Sequence, residues 1–158
     1  MTRQELIELL DGKGVQYEIT EHVPVFTIEE MLECNLPYPD IIAKNLFVRD
    51  DKKRNYYLIS VQEERKINLK EFQEQFGTRK LSFASENDLM AIMGLIKGSV
   101  TPFGLFNDEE RKVQFFIGKE FLGGKMGIHP LENTATVWIG ADDLVNLIEE
   151  HGNTIIVF

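Results

Sequence analysis

The sequence predicts an α/β fold of the α+β type, a mixed and largely antiparallel sheet flanked by short helices. Two observations carry this. Strand-like and helix-like runs are interspersed without the regular ~30-residue beat of βαβ units, and a hairpin signal is evident in the middle of the chain. The length of 158 residues fits a single domain spanning 1–158, with no internal repeat, linker or low-complexity tract.

Thr2 followed by Glu5 is a capping box that opens a helix through Leu10, ended by Gly12 and Gly14, with Leu6, Leu9 and Leu10 facing the core. Val15–Thr20 alternates as a strand. Thr27 with Glu30 repeats the capping signature and starts a short helix towards Cys34. Residues 36–40 form a loop, because Pro37 and Pro39 remove backbone donors and bias their neighbours away from helix. Asn45–Val48 and Tyr56–Val61 are β-rich runs around a charged turn, Asp50–Asn55. Asn68 caps a helix over Leu69–Phe76 that stops at Gly77, and Ser85 with Asp88 opens another. Gly98–Gly104 is a Gly- and Pro-containing loop, with strands expected near Phe106 and over Val113–Ile117. A strand over Thr134–Ile139, a helix over Asp142–Glu150 ended by Gly152, and a strand over Thr154–Phe158 complete the chain.

The formal net charge is -9, which by itself argues against a nucleic-acid partner. The distribution changes that reading. Residues 1–43 carry two basic and nine acidic side chains, and residues 81–158 carry five and eleven. Residues 44–80 carry ten basic and six acidic, an isolated positive zone suited to a few phosphate contacts. Lys52, Lys53 and Arg54 within it read equally as a solvated hairpin tip. No apolar run approaches the ~20 residues of a membrane span, and the start lacks a signal-peptide pattern. Cys34 is the only cysteine, so no intrachain disulfide forms, and a cytoplasmic location is the expectation.

Several chemistries are excluded. Gly118–Lys125 has an extra glycine before its lysine, and Met126 follows where a phosphate-binding loop needs Ser or Thr. Gly12 and Gly14 lack the third glycine of a dinucleotide fingerprint. His22, His129, His151 and Cys34 have no metal-ligand spacing, so neither metal nor cofactor is expected. His151 reads as a helix C-terminal partner and His22 as a turn residue. There is no Gly-x-Ser-x-Gly elbow, and Cys34 lacks a reactive signature. Two segments are left over. Gly98–Leu105 combines glycines, hydroxyls and a proline, and Gly127–Thr134 places a histidine, an amide and a hydroxyl before a strand. Each reads as a ligand-facing loop or simply as a turn.

At these residues the chain resembles the YbaK/prolyl-tRNA synthetase-associated editing family. His22-Val-Pro-Val-Phe-Thr, Ala43-Lys-Asn-Leu-Phe47, Gly98-Ser-Val-Thr-Pro102 and His129-Pro with Asn133-Thr-Ala-Thr136 correspond to its motifs, in order and across most of the chain. Residues 35–40 depart, lacking a glycine-rich approach to the lysine. The resemblance implies a strongly curved sheet that binds the 3′ end of a charged tRNA and hydrolyses a mischarged amino-acid ester without a protein nucleophile. It implies an alanine-specific enzyme acting in trans on tRNA(Pro), with prolyl-tRNA synthetase as a candidate partner. A cysteine-specific deacylase and a non-catalytic module that senses charged tRNA are the alternatives. Lys44, Gly98, Ser99 and His129 are the implied catalytic residues. Asn45, Val100, Thr101, Pro102, Phe103, Gly104, Asn133 and Thr134 are the implied substrate contacts.

Overall fold

A computed structural model describes residues 1–158. Its helices are α1 (Arg3–Gly12), α2 (Ile28–Glu33), α3 (Leu69–Phe76), α4 (Glu86–Met93) and α5 (Ala141–His151). Its strands are β1 (Tyr17–Glu21), β2 (Ala43–Asp50), β3 (Tyr56–Gln62), β4 (Leu81–Phe83), β5 (Val113–Ile117), β6 (Lys125–Ile128), β7 (Ala135–Gly140) and β8 (Ile155–Val157). The helix starts follow the capping chemistry of the sequence. Thr2, Thr27, Asn68 and Ser85 each accept the N–H three residues on, and Gly77 and Gly152 end α3 and α5 in the left-handed conformation.

The strands form two sheets rather than the single expected one. A three-stranded sheet runs β1-β7-β6, all antiparallel, and a five-stranded sheet runs β4-β2-β3-β5-β8. In the larger sheet β2 is antiparallel to β3 and β4, while β3–β5 and β5–β8 are parallel, so the larger sheet is mixed, and over both sheets the pairing is largely antiparallel. β3 is central and covered on both faces, which is why Tyr56–Val61 is an unbroken buried run. One parallel bridge, Ile42 to Gly127, joins the two sheets.

A core cluster of 24 buried residues runs from Leu6 and Leu10 on α1 through Phe103, Phe115 and Val137 to Ile148 on α5. Against the other face of the larger sheet, α3 packs Phe72 and Phe76 onto Phe116, with ring centroids 4.8 Å apart in each pair. A third cluster of Val25, Met31, Leu36, Ile42 and Trp138 lies where the sheets meet.

Two local expectations are corrected. The strand expected near Phe106 is a 3-10 turn over Pro102–Asn107, since Pro102 has no N–H to give a ladder and suits a first helical position. The segment over residues 127–134, read as a ligand-facing loop or a turn, opens inside β6, whose glycine is required by the bulk of the facing Trp138. A Cβ on Gly127 would sit 2.3 Å from Cζ3 of Trp138, and that indole is fully buried with its Nε1–H donated to Thr20 Oγ1 at 2.9 Å. Gly127→Ala is therefore expected to destabilise the fold by about 1–3 kcal/mol through overpacking, lowering the urea midpoint at unchanged m. An unchanged midpoint would show that Trp138 moves aside freely.

Candidate functional site

The parallel bridge between Ile42 and Gly127 sets two chain segments side by side and running the same way. Two or three residues beyond it, Lys44 and Asn45 on β2 and His129 after β6 reach the same place. They line a cavity of about 230 Å³ closed by Val25–Ile28 and Met31 on one side and by Gly98 and Val100 on another. Ile42, Ala43, Gly127 and Ile128 complete its wall.

Each polar group in the cavity is oriented by a partner behind it. The Lys44 ammonium donates to the Arg65 carbonyl at 2.6 Å, which uses one of its three protons and leaves two to offer. The buried Ser60 hydroxyl donates to Asn45 Oδ1, so the amide NH2 is the free end of that side chain. His129 is largely buried, and its Nδ1 donates to the Ala135 carbonyl at 2.9 Å, leaving the Nε2 lone pair unused. Burial pushes the His129 pKa below the ordinary histidine value; the bond to Ala135 opposes this and the nearby His22 reinforces it. At neutral pH His129 is an uncharged acceptor.

The loop after α4 contributes backbone. Gly98 has φ +89 and lies so close to Phe26 that a Cβ would meet its ring at 2.8 Å. The Ser99 N–H bonds the Ile96 carbonyl at 3.1 Å, whereas the N–H groups of Gly98 and Val100 have no acceptor within the protein. Thr101 is fully buried and donates its hydroxyl to the His129 carbonyl at 2.7 Å, tying the loop to the histidine segment.

Of the residues expected from the sequence, Lys44, Asn45, Gly98, Val100 and His129 meet on the cavity wall. Ser99 is buried behind it with its hydroxyl unpartnered, and Thr101 stands in the second rank. Pro102, Phe103 and Gly104 are buried, Phe103 within the main core. Asn133 and Thr134 act at a distance: the Asn133 amide donates to the Val25 carbonyl at 2.8 Å, the Val25 N–H returns to the Asn133 carbonyl, and the His22 N–H donates to the Thr134 carbonyl. They clamp the strap over residues 22–25 that carries the front wall. That wall, Val25–Met31, was missed by sequence reasoning, although its Pro-Val-Phe-Thr motif was visible. His22, read as a turn residue, bonds the buried Thr136 hydroxyl through Nε2 at 2.9 Å, and its ring centroid lies 6.0 Å from that of His129. Cys34 is half-buried, gives its thiol to the Glu30 carbonyl at 3.3 Å and does not line the cavity. No group of three or more His, Cys, Asp or Glu side chains is arranged to hold a metal ion, and no helix is long and apolar enough to cross a membrane.

The chain is similar to known proteins along most of its length. Residues 22–147 match the family described as aminoacyl-tRNA editing domain. The chain is 42% identical over 153 residues to the prolyl-tRNA editing protein ProX of Acetoanaerobium sticklandii, covering 96% of this chain and 93% of that protein. It is 34% identical to the mouse prolyl-tRNA synthetase associated domain-containing protein 1, covering 98% and 94%. Among solved structures, one provisionally described as a trans-editing enzyme for prolyl tRNA synthetase superposes with a TM-score of 0.73 at 18% identity, covering 98% and 94%. The hypothetical protein APE2540 superposes at 0.69, also at 18% identity and covering 96% of each chain. At that identity these two structures establish the fold, and the sequence matches establish kinship: the chain belongs to the aminoacyl-tRNA editing domain family.

Proposed function

We propose that the protein is a free-standing deacylase that hydrolyses alanine from mischarged tRNA(Pro) in trans. One observation carries the reading: a single small cavity holds a cation, a donor amide, two unpaired backbone N–H groups and a neutral imidazole, and the one hydroxyl side chain in its lining, Thr27, serves as the N-cap of α2 by accepting the Glu30 N–H. The prolyl-tRNA editing relative at 42% identity supports the choice of substrate.

An aminoacyl ester is already activated, so hydrolysis needs chiefly a placed water and a stabilised oxyanion. The free protons of Lys44 hold a phosphate or ribose oxygen of the terminal adenosine. The N–H groups of Gly98 and Val100 receive the carbonyl oxygen as negative charge develops on it. His129 Nε2 accepts a hydrogen bond from the attacking water, and the Asn45 NH2 group helps to orient the substrate. Water oxygen bonds to the carbonyl carbon, the bond to the ribose oxygen breaks, and the proton returns to that oxygen, with the neighbouring ribose hydroxyl assisting. Val25, Met31, Ile42 and Ile128 give the cavity an apolar wall against which the alanine methyl group packs, and on this reading the bulkier proline ring is the poorer fit. Such a wall separates alanine from side chains of similar size only weakly, so a panel of alanyl-, cysteinyl-, seryl- and prolyl-tRNA(Pro) is the decisive assay. Release of alanine ahead of serine and cysteine and far ahead of proline is expected; preference for cysteine would replace the substrate, and no turnover would favour a charged-tRNA sensor.

Lys44→Ala should lower deacylation at least about tenfold, while the loss of one hydrogen bond changes stability by only about 1 kcal/mol. Full activity in that variant would remove Lys44 from the phosphate contact. Ser99→Ala and Cys34→Ala should keep measurable turnover, Thr101→Ala should weaken it by freeing the His129 carbonyl, and Gly98→Val should be far worse because of its left-handed backbone and the Phe26 ring. Trapping of an alanyl-protein in rapid-quench experiments, lost on removing one hydroxyl or thiol, would overturn the water mechanism.

Because burial lowers the His129 pKa, its neutral form persists below the ordinary histidine value. Activity should hold as pH falls through that value and decline only at the lower folded pKa. The stability contribution of the neutral imidazole is present above the unfolded pKa and is lost progressively as pH drops between the two. A pH profile of kcat and Tm for wild type and His129→Asn checks both, and a decline centred at the ordinary histidine value would contradict the burial argument.

A further inference from the structure

We propose that Phe26 is a stacking platform for the nucleobase adjoining the scissile ester, an inference that rests on the deacylase reading. Phe26 lines the cavity yet is 61% exposed, and it belongs to none of the three apolar clusters and to no aromatic pair. Its ring adds nothing to the core.

The backbone that carries the ring is nonetheless held in place. The buried Val25 before it is bonded through both its N–H and its carbonyl to Asn133, and the Phe26 N–H donates to Glu30 Oε2 at 3.1 Å. Gly98 lies against one side of the ring, where any side chain would collide. Ile96, 57% exposed, sits on the turn closed by the Ser99 N–H, two residues before Gly98. A solvent-facing aromatic ring on an anchored backbone, at the mouth of a site with a lysine at its wall, suits a group with a flat π-face and a phosphate close by. A nucleoside at the end of an RNA strand has both. Stacking on such a ring is tolerant of base identity, so this contact locates the strand end and leaves discrimination to the cavity behind it.

Steady-state hydrolysis tests this with an alanylated RNA minihelix ending in adenosine and the same RNA ending in an abasic ribose. Phe26→Ala should raise KM about tenfold with kcat little changed, and Phe26→Trp should restore it while Phe26→Leu should not. The wild type should lose a similar factor on the abasic RNA, and Phe26→Ala should lose no more there. Equal performance by Phe26→Leu and wild type, or ring and base effects that multiply, overturns the stacking role. Turnover by wild type that Phe26→Ala leaves unchanged sinks this inference alone; wild type inactive on every charged tRNA sinks the deacylase reading and this inference with it. Because the ring is exposed, the Tm of each variant should match wild type, and a large drop in Tm would mark Phe26 as structural and overturn the inference.

Discussion

The bridge between Ile42 and Gly127 is the constraint on which the site depends. Two sheets built from distant parts of the chain touch backbone to backbone there, and they touch in parallel. The residues that follow on each side, Lys44 and Asn45 on one and His129 on the other, are delivered to one cavity by the direction of the strands. The contact requires a glycine because the Trp138 ring occupies the space where a side chain would stand. The indole in turn is fixed by its bond to Thr20 on β1 and by the edge of the Tyr38 ring, whose centroid lies 5.1 Å away. Thus the loop over residues 35–40 backs the junction through the Tyr38 ring on Trp138.

Around that junction the other walls are held by bonds in which at least one partner lies outside the helices and strands. Asn133 clamps Val25, Thr101 clamps the carbonyl of His129, and Arg65 supplies the acceptor for Lys44. Arg65 is itself anchored by Glu120 at 2.7 Å and lies over the Phe158 ring at 4.2 Å. Its carboxylate partner also accepts the Gln62 N–H at 2.8 Å, and these contacts hold Glu120 below its ordinary pKa against the cost of its partial burial. The aromatic layer behind the larger sheet therefore positions a catalytic lysine on the proposed mechanism, though none of its rings approaches the cavity.

What was legible in the sequence was what local chemistry decides. Thr2, Asn68 and Ser85 announced helix starts because a cap needs only the next three residues, and Gly77 and Gly152 announced ends because the left-handed region excludes most others. β4 and β6 were not legible: three or four residues with a Ser, a Lys or a Gly among them do not make a period, and pairing with β2 and β7 makes them strands. In the site, Lys44, Asn45, Gly98, Val100 and His129 were found through motif resemblance and unexplained polarity. The front wall over residues 25–31 was not, since apolar residues on a short helix look like core in any sequence. The clamp of Asn133 on Val25 spans 108 positions, and nothing local records a bond of that reach.

β1 pairs along its whole length with β7, Tyr17 against Ile139 and Glu21 against Ala135. During synthesis at about 5–20 residues per second, the first strand waits on the order of ten seconds for its partner to be made. The strand that joins the sheets, β6, arrives only just before. A growing chain carries Lys44 and the Gly98 loop long before it carries His129, and it has no cavity until both sheets close. The protein thus has no working half, and its chemistry begins in one step when the last quarter of the chain folds back onto the first strand.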